Sequence, residues 1–239
     1  MSKVWRLGFV VEGKTDFIVF SGLVSHWLGG NCELNQLQPD TSGIQTDLGM
    51  GWSGVYQWCR QVVQNNQGNF YADPLFSVYD ALFIHLDGDV AFSDYNDANI
   101  HEPCGLPLPC VSAGASGADV VENLQQVLGS WCAVPTFLPG TIPVVPVMAT
   151  ESWIYTSLFP AEPIVVNREI ERNPDPSRLF IGLGGGHKLV RNKDGKSKKV
   201  AAAYTAIIPE LIAGWENLST QIEEAALFRE QVRILNGAT

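Results

Sequence analysis

The chain has 239 residues and a net charge of −10; 46 % of the residues are apolar and 10 % aromatic. That much apolar material buries a sizeable core and excludes general disorder, while no apolar run approaches the ~20 residues that a membrane-crossing helix needs. The acidic balance weighs against a nucleic-acid partner. Charge is uneven, however: six of the fifteen Lys and Arg residues fall between Lys188 and Lys199, and bound divalent cations reverse the local sign around an acidic cleft.

Residues 4–11 are a β-branched and aromatic run that predicts a strand. It stops at Glu12-Gly13-Lys14-Thr15-Asp16. Thr15 is the expected helix N-cap there, and Asp16 suits the positive end of the helix dipole. Phe17, Phe20, Leu23, Val24 and Trp27 recur at helical spacing, so a helix is expected over 16–28, closed by Gly29 and Gly30. Residues 32–38 alternate and read as a strand at the sheet margin, and 40–53 read as a loop. Val55, Trp58, Cys59, Val62 and Val63 then mark a second helix ending near residues 65–68.

The stretch 80–92 (DALFIHLDGDVAF) organises the rest. Ala81 to Ile84 and Leu86 predict a strand buried on both faces of a parallel sheet. Buried strands do not carry paired carboxylates, so Asp87 and Asp89 belong where the strand leaves the core. In open α/β sheets that carboxyl edge is where ligands bind. Two acids around one glycine there suggest a magnesium site, because hard cations take oxygen ligands. His85, inside the strand, reads as a satisfied core histidine.

Residues 92–116 carry no periodicity and predict a long loop over the acidic edge. Ser116 or Asp119 opens an amphipathic helix through Val120, Val121, Leu124, Val127, Leu128 and Trp131. The next strand, 142–148, holds two prolines, which place it at an edge or leave it irregular. Thr150 is the expected cap of a short helix through Ile154, Leu158 and Phe159, making Glu151 a third acid just beyond a strand. From residue 160 the character changes to a charged, glycine-rich basic stretch, then helices over 200–212 and 216–235, with Pro209 starting a new segment. The expectation is a core over 1–159 and a basic loop with a helical extension packed on it over 160–239. Gly184-Gly185-Gly186 lacks the Lys-Ser/Thr of a P-loop.

Strand–helix alternation gives an α/β fold, with a mostly parallel sheet of about four strands flanked by helices. The five scattered cysteines include no C-x-x-C pair, which argues against zinc and a disulfide framework. With no signal-peptide pattern, the expected location is the cytoplasm.

The first strand ending in V-E-G-x-T-D (Val11 to Asp16), and a later one ending in Asp87-x-Asp89, resemble the Toprim domain of topoisomerases, primases and the overcoming-lysogenization-defect nucleases. PVMATESWIYTSLF (Pro146 to Phe159) is similar to the proline-strand-then-glutamate segment of small stand-alone bacterial Toprim-like proteins. NPDPSRL, from Asn173, and Lys198-Lys199-Val200 resemble their C-terminal half. The resemblance implies a Toprim-like fold and a Mg²⁺- or Mn²⁺-dependent nuclease, acting on DNA ahead of RNA, in defence against phage. By that analogy Asp87 and Asp89 ligate one ion with Glu12, and Asp16 and Glu151 help hold a second. Glu12 alternatively serves as general base, and Lys199 or Lys198 steadies transition-state charge. The implied partners are nucleic acid and an ATPase protein, with no membrane; a homo-oligomer is compatible. Two alternatives stay open: a regulatory subunit without turnover, and a haloacid-dehalogenase-like phosphatase with Asp87 as nucleophile. The nuclease reading requires Glu12 within about 10 Å of the Asp87/Asp89 pair.

Overall fold

The computed structural model describes residues 3–40, 48–193 and 196–237; residues 41–47 of the expected 40–53 loop, and Asp194 of the basic stretch, lie outside them. In chain order the elements are β1 (Trp5–Val10), α1 (Lys14–Trp27), β2 (Cys32–Gln38), α2 (Gly51–Asn65), the short α3 (Leu75–Val78), β3 (Ala81–His85) and α4 (Gly117–Trp131). Then come β4 (Thr141–Val144), α5 (Thr150–Leu158), the short α6 (Pro163–Val166), β5 (Val190–Lys193), β6 (Lys196–Lys199), α7 (Ala201–Gln221) and α8 (Glu223–Leu235). The protein is an α/β fold with a four-stranded parallel sheet, order β2-β1-β3-β4, and a helical C-terminal extension. No helix among the described residues is long and apolar enough to cross a membrane.

The strand order explains where the site falls. From β1 the chain steps outward to β2, and from β3 it steps outward the other way to β4. Right-handed crossovers then put α1 on one face and α4 on the other. α1 indeed joins the core cluster of Leu7, Phe9 and Phe83, whereas α2 and α4 join that of Val10, Leu82 and Ile84. The connections diverge at the carboxyl ends of β1 and β3, which opens a crevice at the topological switch point. Val10 pairs with Ile84, so the residues that follow the two strands emerge level with each other.

Several local expectations are corrected. Gly13, not Thr15, is the N-cap of α1, with no side-chain capping bond; Thr15 and Asp16 are buried in the first turn. Likewise Ala149 caps α5, and Thr150 turns inward. The strand expected over 142–148 stops at Val144, at the sheet edge as its prolines require. Beyond it the chain knits onto the Asp87 turn: Gly88 N–H donates to Pro146 O and Asp89 N–H to Met148 O, both at 2.9 Å. A Cβ on Gly88 would lie 2.6 Å from Met148 N and 2.7 Å from Pro146 O, so only glycine fits there.

The segment after Phe92 does not cover the acidic edge. It packs across α2 and α4: Tyr95 OH accepts from Trp131 Nε1 at 2.7 Å, and Cys104 N–H donates to Tyr56 OH at 3.0 Å. Pro209 lies inside one continuous α7 rather than at a new start. The missing hydrogen bond is tolerated because Tyr204, Ile207, Leu211, Trp215 and Leu218 bury one face against α1 and α5. The basic stretch is an antiparallel hairpin, β5–β6, which delivers Lys199 to the head of α7.

Candidate metal centre

Period-two alternation on β3 sends Ala81 and Phe83 to the α1 face. His85 and Asp87 continue that parity over the crevice mouth. Across from them, the β1–α1 turn supplies Glu12, and the first turn of α1 supplies Asp16. Asp87 N–H donates to Glu12 Oε1 at 2.8 Å, closing the 75-residue separation into direct contact. Asp87 Oδ1 accepts from Thr150 N–H at 2.8 Å and Thr150 OH at 3.2 Å, and His85 Nε2 stands 3.2 Å away. The ends of β1, β3 and the β4–α5 connection are thereby stitched together at Asp87, through its backbone N–H and its carboxylate.

Asp16 is only 3 % exposed, yet its Oδ1 has no hydrogen-bond partner among the described residues. A buried carboxylate oxygen left in this way asks for a positive charge. Asp16, His85 and Asp87 each offer a ligand atom, and these atoms lie within 4.8 Å of one another. Carboxylate oxygens with one imidazole nitrogen form a donor set that suits a divalent cation. The residues present therefore fit a metal ion.

Glu12, Asp16, Asp87 and Lys199 line one cavity of about 380 Å³, with Gly13, Lys14, Thr15, Met50 and Ala201 around them. Larger hollows lie elsewhere, one of about 410 Å³ between α4, β4 and α8 and one of about 480 Å³ beside the start of α4. Neither contains a buried unpartnered carboxylate oxygen, so chemistry rather than size singles out the acid cleft.

Electrostatics separate the acids. Burial, then the charge of Asp87, pushes the Glu12 carboxyl well above its ordinary range. Burial lifts Asp16 to about 6, against the pull of Lys199. Asp89 is held at about 7 by the surrounding protein and by Asp87; its surface is nevertheless open at the cleft mouth, which tempers that lift. Asp87 moves the other way: although burial opposes it, the His85 contact and the Lys199 charge keep it below the usual carboxylate range. One carboxylate thus stays charged while its neighbours resist ionisation.

Glu151 stands apart from that group. It is 1 % exposed, Lys199 Nζ lies 2.7 Å from its Oε1, and Tyr204 OH donates to the same oxygen at 2.5 Å. Despite its own burial, Lys199 is held protonated by Glu151, Asp16 and Asp87. Lys198, by contrast, is exposed and makes no side-chain contact at the cleft.

Sequence reasoning missed three participants. His85 is not a satisfied core histidine: its Nδ1 is buried without a partner, and its Nε2 faces Asp87. Its position two residues before Asp87 was the available signal, since alternation puts both on one face. Thr150 has the local pattern of a cap, and Tyr204 carries no signal in a helix that reads as packing. The fold and site define an α/β protein with a buried carboxylate–imidazole cluster able to hold a metal ion. No protein-family model matches the chain, and neither the curated proteins nor the solved structures contain a significant match.

Proposed function

We propose that the chain is a metal-dependent phosphodiesterase of Toprim type, a nuclease cutting DNA ahead of RNA. The observation that carries this reading is the direct contact between Glu12 and the Asp87 turn at the switch point, with Asp16 buried beside them and its Oδ1 without a hydrogen-bond partner among the described residues. Acids gathered from separate strand ends, rather than along one element, are what a cation-assisted cleavage centre needs.

Asp16 and Asp87, with His85 at hand, would hold the ion, and Asp89 at the mouth would meet the ion or its waters. A divalent cation there supplies Lewis-acid stabilisation of the phosphodiester and acidifies a water. Glu12, next to Asp87 and a strong base once the ion's charge has driven off its proton, would take the proton of the attacking water. Lys199, fixed on Glu151 and exposed for part of its length, would meet a phosphate oxygen. The β5–β6 hairpin, with exposed Arg191 and Lys198, gives an otherwise acidic molecule a local surface for a polyanion. Defence against phage and an ATPase partner extend the same reading through the Toprim resemblance alone.

The test is cleavage of single- and double-stranded DNA and RNA with Mg²⁺ or Mn²⁺, using Glu12→Ala and Asp87→Ala as controls. Cleavage is expected to need the ion and to vanish in both variants. Activity surviving in both would overturn the reading, and hydrolysis of small phosphate esters without any polynucleotide cleavage would turn it toward a phosphatase.

A further inference from the structure

Polynucleotide cleavage at an acid cluster is commonly served by two ions ~3.5–4 Å apart. Here the second position is already taken by protein. Glu151 is buried, and its Oε1 is shared by the Lys199 ammonium at 2.7 Å and the Tyr204 hydroxyl at 2.5 Å. Both come from the C-terminal extension, Lys199 at the end of β6 and Tyr204 in the first turn of α7. Lys199 also lines the cavity of Glu12, Asp16 and Asp87, so its charge is shared with the cleft as a bound cation's would be. An ion on Glu151 would have to approach that ammonium at close range, and like charges at such distances exclude each other.

Asp16 presents the opposite situation. Among the described residues its Oδ1 is buried with no hydrogen-bond partner, and the mutually close ligand atoms belong to Asp16, His85 and Asp87, with Glu151 outside the group. We propose that the centre takes one divalent cation, at Asp16 and Asp87, and that the Lys199 ammonium on Glu151 replaces the second. This rests on the metal-centre reading above and specifies its charge plan: one exchangeable cation and one built into the chain.

The experiment counts Mn²⁺ per chain by equilibrium dialysis, with the bound ions followed by electron paramagnetic resonance. It uses the full-length wild type, Lys199→Met, and Lys199→Met combined with Glu151→Gln. The expected counts are one, two and one: removing the ammonium frees Glu151 for a second ion, and removing the Glu151 charge abolishes that site again. Two ions in the wild type would overturn the proposal while leaving a metal-dependent nuclease intact. A single ion in Lys199→Met, with the first site's affinity unchanged to show that the cleft is folded, would overturn it as well. The wild-type count alone decides against the proposal if it is two, so the test survives a variant that does not fold. No Mn²⁺ bound to any form would remove the metal-centre reading together with this one. One ion without polynucleotide cleavage would support the count and overturn only the nuclease.

Discussion

Asp16 and Glu151 begin alike and end in opposite states. Each is an acid in the first turn of a helix that follows a strand, each gains the same favourable dipole, and each is almost fully buried, at 3 % and 1 % exposure. Glu151 is answered inside the chain by an ammonium and a phenol; Asp16 keeps an oxygen with no partner. The difference comes from the extension: β6 and α7 deliver Lys199 and Tyr204 to Glu151, and among the described residues none hydrogen-bonds Asp16 Oδ1. One half of the cleft is complete as protein, and the other offers a cluster able to hold a cation.

The largest effect should come from Asp87, which joins the open half to the strand ends. Asp87→Asn keeps the shape and removes the charge. If several kcal/mol of charge stabilisation pass through this carboxylate, cleavage falls by ~10³-fold. A loss below tenfold in Mg²⁺-dependent cleavage assays would mean that the Asp87 carboxylate is a structural tie for Thr150 and nothing more.

A smaller effect, with a definite sign, lies in the stability of the metal-free protein. Asp16 and Asp89 rise from 3.8 to about 6 and about 7 in the fold, and Glu12 rises from 4.5. The folded chain therefore binds more protons than the unfolded one between these values. The stability they contribute is full below pH ~4 and is lost as pH climbs through ~6–7. Asp87, whose carboxyl is depressed, acts oppositely, and its contribution is lost only as pH falls below the ordinary carboxylate range. Melting in chelator should thus be higher near pH 5 than near pH 8, and Mn²⁺ should narrow or reverse that order. Asp16→Asn removes the buried charge and should stabilise the chelated protein at pH 8 by about 3 kcal/mol. A destabilised Asp16→Asn in chelator would show that Asp16, like Glu151, already has its partner.

In both halves the acids were legible in the sequence, as was Lys199, and the imidazole and hydroxyls that meet them were not. An apolar run ending in Asp87-Gly88-Asp89, and Glu12 after the first strand, announce a sheet edge, because burial forbids acids inside a two-faced strand. Their meeting then follows from strand order alone. Thr150, His85 and Tyr204 were hidden by plausible local roles: a cap, a core ring and a helix-packing aromatic. Each of those roles satisfies the local pattern, and only the tertiary arrangement redirects the polar atom. The loop expected over the acids was misplaced for a similar reason. Polarity marked it as a loop, but Tyr95 and the Trp131 indole decide which face it covers.

Tyr204→Phe should give the smallest effect and the sharpest division between the halves. The phenol donates to Glu151 Oε1, and Lys199 remains on that oxygen when the hydroxyl is gone. The loss is one hydrogen bond to a charged group with its counter-charge still in place, about 1.5 kcal/mol in denaturant melts. Because the hydroxyl bonds Glu151 and Asp16 Oδ1 has no bond to lose, Mn²⁺ affinity should stay within about threefold of wild type, below the ~10–100-fold typical of removing a group that orients a metal ligand. A tenfold loss of Mn²⁺ affinity would show that Glu151 and its partners help hold the ion. In that case the division between a closed and an open half fails, and Glu151 returns to the ligand set.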